Sequence, residues 1–199
     1  MTPAKAQEKR SDVTKKRILD AAAAEFVEKG YEAVSISQIA KRAGISKQLV
    51  HHHFPSKRKL FETVHEYRYR PPANWDDEIP ADLDDIIAER FLRRSKNADY
   101  MRVLTWEAAT TREGKVPGER ERRLRIRQYG DKLRSLQAEG RIPGDVDAAF
   151  LQLLVLALAS YPISFTQVTR LVTGRPGTDP KFQQEWAAFL RKITRKLLT

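Results

Sequence analysis

Three of the chain's four histidines stand together in the stretch Leu49-Val50-His51-His52-His53-Phe54. Imidazoles bind metals, relay protons or donate hydrogen bonds, and spacing decides among these uses. Successive residues of a helix project about 100° apart, so three adjacent imidazoles cannot close on one ion. A zinc pair on a helix needs i, i+4 spacing and further ligands. The chain has no cysteine, which removes thiolate ligands, disulfides and cysteine redox sensing. Neither a metal nor any other cofactor is expected. Catalysis has as little to work with. His65 has no evident serine or carboxylate partner, and Gly174-Arg175-Pro176-Gly177-Thr178 lacks the spacing and the lysine of a phosphate-binding loop. The chain is therefore not expected to be an enzyme, and an enzyme on an all-helical fold is kept only as a distant alternative.

The net charge is +11 and it is unevenly placed. Residues 1–60 hold 13 Lys+Arg against 6 Asp+Glu, a balance of +7; the other 139 residues hold 24 against 20, a balance of +4. Excess positive charge in a small N-terminal part suits a polyanion partner, because each neutralised phosphate releases counterions. Charge alone fits DNA, RNA or an anionic membrane surface equally. The first twenty residues are hydrophilic and carry no apolar leader, so a cytoplasmic location is expected.

The elements that must position these groups are legible as helices. Residues 1–10 lack apolar periodicity and read as a flexible arm. Ile18, Leu19, Ala22, Phe26 and Val27 then make a helical stripe that Lys29-Gly30 stops. Ser35 and Gln38 fit a capping box at the start of a second helix, which Gly44 ends. Ser46 caps a third helix that runs through the histidines until Pro55 blocks it. Ser56 opens a fourth, carrying Leu60, Phe61, Val64 and Tyr67. The proline-rich, acidic residues 71–81 read as a loop, and helical patterns resume over 82–97, 99–113, 119–139, 145–172 and 180–197. No strand alternation or internal repeat interrupts them, so the fold class is all-α.

Two short helices joined by Ala43-Gly44-Ile45-Ser46 make a helix-turn-helix. The glycine permits the turn, and Ile39, Ala40, Ile45 and Val50 can fix the angle between the helices. Residues 15–61 resemble the N-terminal domain of the TetR/AcrR family of bacterial transcriptional regulators. The matching residues are Ile18-Leu19-Asp20-Ala21-Ala22, Phe26, Gly30-Tyr31, Ser35-Ile36, Ile39-Ala40, Ala43-Gly44-Ile45-Ser46-Lys47, His53-Phe54, Ser56-Lys57 and Leu60-Phe61, without a gap. The rest of the chain matches only in its helical layout. Where the family often has a tyrosine on the DNA backbone, this chain has His51; where it commonly has leucine, this chain has Val50.

The resemblance implies an arm over 1–10, a three-helix DNA-binding domain over 11–56, and a larger helical ligand-binding and dimerisation domain over 57–199. It implies groove contacts from the start and outer face of the third helix: Ser46, Lys47, Gln48, Leu49, His51 and His52, with His53 structural. Lysine can donate to guanine, glutamine can pair with adenine, and leucine can pack on a thymine methyl. Ser37 is a further candidate base contact. Ser35 with the amides of the second helix suits a phosphate, and Lys57 matches the family's phosphate-contacting lysine. Lys15, Lys16 and the arm are lesser candidates.

In the C-terminal part, residues 148–169 carry no charge. A membrane span would need about 20 apolar residues, and Gln152, Ser160, Pro162, Ser164, Thr166, Gln167 and Thr169 interrupt the run. A buried helix is the better reading, and no membrane partner is expected. The family pairs its last two long helices across a homodimer, which places Leu154, Leu158, Phe182, Trp186, Phe189, Ile193 and Leu197 at an interface. Two recognition helices about 34–36 Å apart then read a palindromic operator. Such proteins are also receptors for a small-molecule effector that usually releases DNA. The candidate effector-binding residues are Tyr100, Trp106, Glu107, Tyr129, Gln152, Tyr161 and Phe165, with core or interface packing as the plain alternative for each. The arginines at 120–127 read as a solvated helix face. The function expected is a sequence-specific transcriptional repressor on double-stranded DNA. A non-specific architectural DNA-binding protein would share the charge and the head, but would not need a hydrophobic receptor domain.

Overall fold

A computed structural model describes residues 3–68, 79–110 and 119–198. All regular structure among them is helical: α1 (Pro3–Ala33), α2 (Ile36–Ala43), α3 (Lys47–His53), α4 (Lys57–Arg68), α5 (Ile86–Ser95), α6 (Ala98–Thr110), α7 (Glu119–Ala138), α8 (Ala148–Ser164), α9 (Thr166–Thr173) and α10 (Pro180–Leu198), with a short 3-10 turn at Leu83–Asp85. The all-α expectation is met. Residues 71–78 of the expected loop and 111–113 of an expected helix lie outside the described residues.

Two expected boundaries moved. The arm expected over 1–10 is helical from Pro3 and continuous with α1. Its alanines, lysines, glutamine, glutamate and arginine are strong helix formers, and proline is tolerated at the first helical position. The helix expected over 145–172 is broken: α8 and α9 meet at a bend of 85° around Phe165, whose φ of −116° and ψ of 55° are not helical. Pro162 inside α8 lacks the N–H that would continue the ladder. Thr169 Oγ1 takes over at the break, within 3.2 Å of the Pro162 carbonyl and 3.1 Å of the Phe165 carbonyl. Among the described residues no single helix is long and apolar enough to cross a membrane.

The chain divides into two compact units, residues 1–70 with 103–119 and residues 71–102 with 120–199. Helix α4 thus belongs to the first unit, whereas the sequence had suggested a boundary between residues 56 and 57. It packs on α1 through Leu60, Phe61 and Val64, all buried. Phe61 meets Phe26 edge-on at 5.0 Å and Tyr31 at 4.9 Å. Aromatic pairs of this kind add about 0.5–1.5 kcal/mol beyond the area they bury. The second unit is organised around α5, which packs against α8 and α10. Ile87, Phe91, Leu133, Val155, Ala159 and Leu190 form its core. Arg191 with Asp85, and Arg195 with Asp84 at 2.6 Å, tie α10 to the start of α5. Helix α6 runs from the second unit (98–102) into the first (103–110).

Candidate nucleic-acid interface

The helix-turn-helix is held from both ends by local hydrogen bonds. Ser35 caps α2: its Oγ accepts from the Gln38 amide at 3.2 Å, and the Ser35 amide donates to Gln38 Oε1 at 2.7 Å. Ile36, Ile39, Ala40 and Ala43 form its buried face. Gly44 ends it in the left-handed conformation (φ 64°, ψ 40°), which L side chains rarely adopt. That turn lets the Ile45 amide reach the Ala40 carbonyl at 3.1 Å, closing the helix end. Arg17 on α1 donates to the Ala43 carbonyl at 2.7 Å, completing the corner.

A charged network fixes α2 on α1. Glu25, only 6% exposed, accepts from Lys29 at 2.7 Å and from Arg42 at 3.1 Å, and Arg42 also reaches Glu28 at 2.6 Å. Arg17, Glu25 and Arg42 were not among the residues singled out from sequence. The contacts of Arg17 with Ala43 and of Arg42 with Glu25 span 26 and 17 positions, beyond any local signal.

Ser46 caps α3, its Oγ accepting from the Leu49 amide at 3.2 Å. Val50 and Phe54 are buried and pin the helix to the unit. The opposite side is free: Lys47, Gln48, Leu49, His51 and His52 are all exposed, as is Ser37 on α2. The structure presents in one short segment an exposed cation, amide, apolar side chain and two imidazoles, residue types able to contact base edges and phosphates. No group of three or more metal-ligating side chains occurs among the described residues.

Two expected roles change in detail. The Ser35 hydroxyl donates to Gln38 Oε1 at 2.8 Å, so its proton is committed to the cap and only the amides at the start of α2 are left for a phosphate. The Lys57 ammonium donates to the carbonyls of Val34 at 2.9 Å and Glu32 at 3.3 Å, and lies 4.4 Å from the Tyr31 ring. It braces the α1–α2 corner with two of its three N–H groups.

His53 is half-buried, its ring edge-on to His52 at 5.4 Å. Burial, aided by His52 and Lys15, lowers its pKa below the usual 6.5. The unfolded chain then binds this proton more readily than the folded one. Stability associated with His53 is fully present above pH 6.5 and is lost as pH falls through the lowered folded value. Chemical denaturation at about pH 7.5 and about pH 5.5 should show a loss at the lower pH that shrinks in His53→Asn.

The candidate effector residues are divided between the two units. Tyr129 and Gln152 are buried in the second unit, and so is Tyr100. Trp106 and Glu107 belong to the first unit. Trp106 lies against Gly30, where α1 kinks. The Tyr161 and Phe165 rings meet at a tilt of 34°, centroids 4.9 Å apart, and are about half exposed. The candidate interface residues split too. Leu154, Phe189 and Leu197 are exposed and Leu158, Trp186 and Ile193 half-buried, but Phe182 is buried with Ala187 and Leu190 on the inner face of α10. Spacing alone could not separate them, because α10 carries apolar residues on two faces.

Residues 18–64 match the profile of the bacterial regulatory proteins of the tetR family, and residues 82–195 match the tetracyclin repressor-like C-terminal domain. The chain belongs to the TetR family of bacterial regulatory proteins. It is a TetR-family DNA-binding transcriptional regulator, with its helix-turn-helix in the first unit. It is 31% identical over 173 residues to the HTH-type transcriptional repressor SCO4008 of Streptomyces coelicolor, covering 84% of this chain and 88% of that protein. Over 53 residues it is 42% identical to the HTH-type transcriptional activator FasR of Mycolicibacterium smegmatis, covering 27% of this chain and 24% of that one. The fold is shared with SCO4942 of Streptomyces coelicolor at a TM-score of 0.74 and 23% identity, covering 92% of this TetR-family chain and 97% of that one.

Proposed function

We propose that the protein is a homodimeric repressor that reads a palindromic operator with α3 and releases it on binding a small-molecule effector. The observation that carries this reading is the polarity of α3: Val50 and Phe54 are buried, while Lys47, Gln48, Leu49 and His51 are exposed. The repressor sign rests on similarity to SCO4008, which spans most of both chains, whereas the match to the activator FasR is confined to a short segment.

Dimerisation is supported by a surface that a monomer would leave wet. Phe150 (74% exposed), Leu153 (61%) and Leu154 on α8, Leu171 (76%) and Val172 (79%) on α9, and Phe189 and Leu197 on α10 are exposed apolar side chains. Large exposed apolar patches mark interfaces, and these side chains supply candidates for one. A second copy also supplies the second recognition helix that a palindrome requires. Sedimentation should give a dimer, and an excess of unrelated duplex should not displace the bound operator; free displacement would indicate an architectural protein.

Two substitutions separate reading from positioning. Gln48→Ala should relax preference at one base position of each half-site, at a cost of about 1–3 kcal/mol against the preferred base. Lys57→Ala should weaken binding to every sequence alike and reduce the salt slope by about 0.9, because the third ammonium N–H serves a phosphate. An unchanged slope would confine Lys57 to bracing the corner at Glu32 and Val34.

A further inference from the structure

From Ala33 to Phe61 the chain holds no aspartate or glutamate, yet it holds six Lys+Arg and three of the four histidines. Both helices of the helix-turn-helix lie inside this stretch, so neither carries a carboxylate. Within α3, side chains one turn apart share a face: His51 follows Lys47, and His52 follows Gln48. Both of these imidazoles are exposed, whereas Val50 and Phe54 are buried. Of the elements around α3, α1 contributes Lys15, and α2 contributes Lys41 and Arg42, the latter already paired with Glu25 and Glu28. The charges that reach His53 are those of His52 and Lys15, and both oppose a proton there. Among the described residues no carboxylate pairs with any of the three imidazoles.

We propose that operator binding by this protein takes up protons: His51 and His52 contact phosphates as imidazolium ions, so the DNA is held more tightly as pH falls. The inference rests on the operator reading above and adds to it a regulatory input separate from the effector. Imidazole ordinarily gains its charge between about pH 8 and 5. The neutral ring offers one N–H donor, whereas imidazolium offers two and a full charge. Duplex DNA brings a dense row of phosphates to a face where the protein supplies no anion, so the charged form gains its partner in the complex. Linkage is reciprocal: if DNA favours the proton, the proton favours DNA by the same factor. Lys47, one turn from His51, widens the difference. Its like charge opposes an imidazolium in the free protein, and phosphates neutralise both in the complex. His53 has a different part. Burial, with His52 and Lys15, holds its pKa below 6.5, so above that pH it stays mainly neutral.

The test uses the full-length protein and a duplex selected by it from a random pool, titrated at about pH 8.0 and about pH 6.5, where the His53 contribution to stability is intact. Affinity is expected to rise about tenfold or more over that interval in a dimer that presents the pair twice, and the salt slope to steepen by about 0.9 for each phosphate gained. Calorimetric titration in Pipes and in Bis-Tris, which differ in ionisation enthalpy, should show net proton uptake. Two double variants separate charge from shape. His51→Gln with His52→Gln should take up no protons and keep the shallower slope at both pH values. His51→Arg with His52→Arg, permanently charged, should also take up none, but keep the steeper slope at both. Equal wild-type affinity at the two pH values, or proton uptake that persists in the glutamine variant, would overturn the proposal. A wild type that selects no duplex at either pH would instead remove the operator reading on which it rests.

Discussion

Gly177→Ala should lower the melting temperature of the protein by about 5–10 °C. A Cβ on residue 177 would stand 1.8 Å from the Pro162 carbonyl oxygen and 2.5 Å from its carbon. Both are backbone atoms of α8 and cannot swing aside. Three hydrogen bonds hold the same corner: the Gly177 amide donates to Thr166 Oγ1 at 3.0 Å, Gln183 Nε2 donates to the Gly177 carbonyl at 3.1 Å, and Thr169 Oγ1 serves the Pro162 carbonyl. The methyl must therefore push the segment before α10 off α8. Overpacking of this kind costs about 1–3 kcal/mol, and about 2–4 °C follows from each kcal/mol in a domain of this size. Differential scanning calorimetry checks it. A melting temperature within one or two degrees of wild type would mean that the α8–α9–α10 corner is looser than described.

Leu153→Glu combined with Phe189→Glu should give a folded monomer that binds the operator at least about a hundredfold more weakly. Both side chains are about half exposed or more in the isolated chain, so glutamates there cost the monomer little. In a dimer they would bury unpaired carboxylates, which is strongly unfavourable. The affinity loss exceeds the loss of contacts, because linked heads bind the second half-site at high effective concentration and separate heads do not. Circular dichroism, sedimentation and titration of the operator measure the three parts. A variant that stays dimeric would move the interface away from the exposed faces of α8 and α10.

The sequence carried the helix-turn-helix almost completely, because that motif is written in local chemistry. Ser35 with Gln38, Gly44 and Ser46 act within four residues of themselves and behave as their types dictate. Helical geometry forbids the three histidines a shared ion, and the structure leaves His51 and His52 exposed with His53 half-buried. What escaped notice depends on distant partners. The carbonyl contacts of Lys57 span 23 and 25 positions, and nothing near it announces that its ammonium turns inward. Arg90 and Arg94 read as surface charge by type, and only the packing of α5 against α8 and α10 buries them. Phe182 shared the spacing of Trp186 and Phe189, yet it faces the core with Leu190.

The central claim is that α3 reads a specific sequence twice. Selection of duplexes from a random pool by the purified protein, at about 150 mM salt so that phosphate contacts alone cannot retain DNA, tests it most directly. The account predicts an enriched palindrome with half-sites about one helical turn apart, which loses preference at one position of each half-site in Gln48→Ala. A folded, dimeric protein that enriches no sequence, or a motif that Gln48→Ala and Lys47→Ala leave untouched, would contradict it.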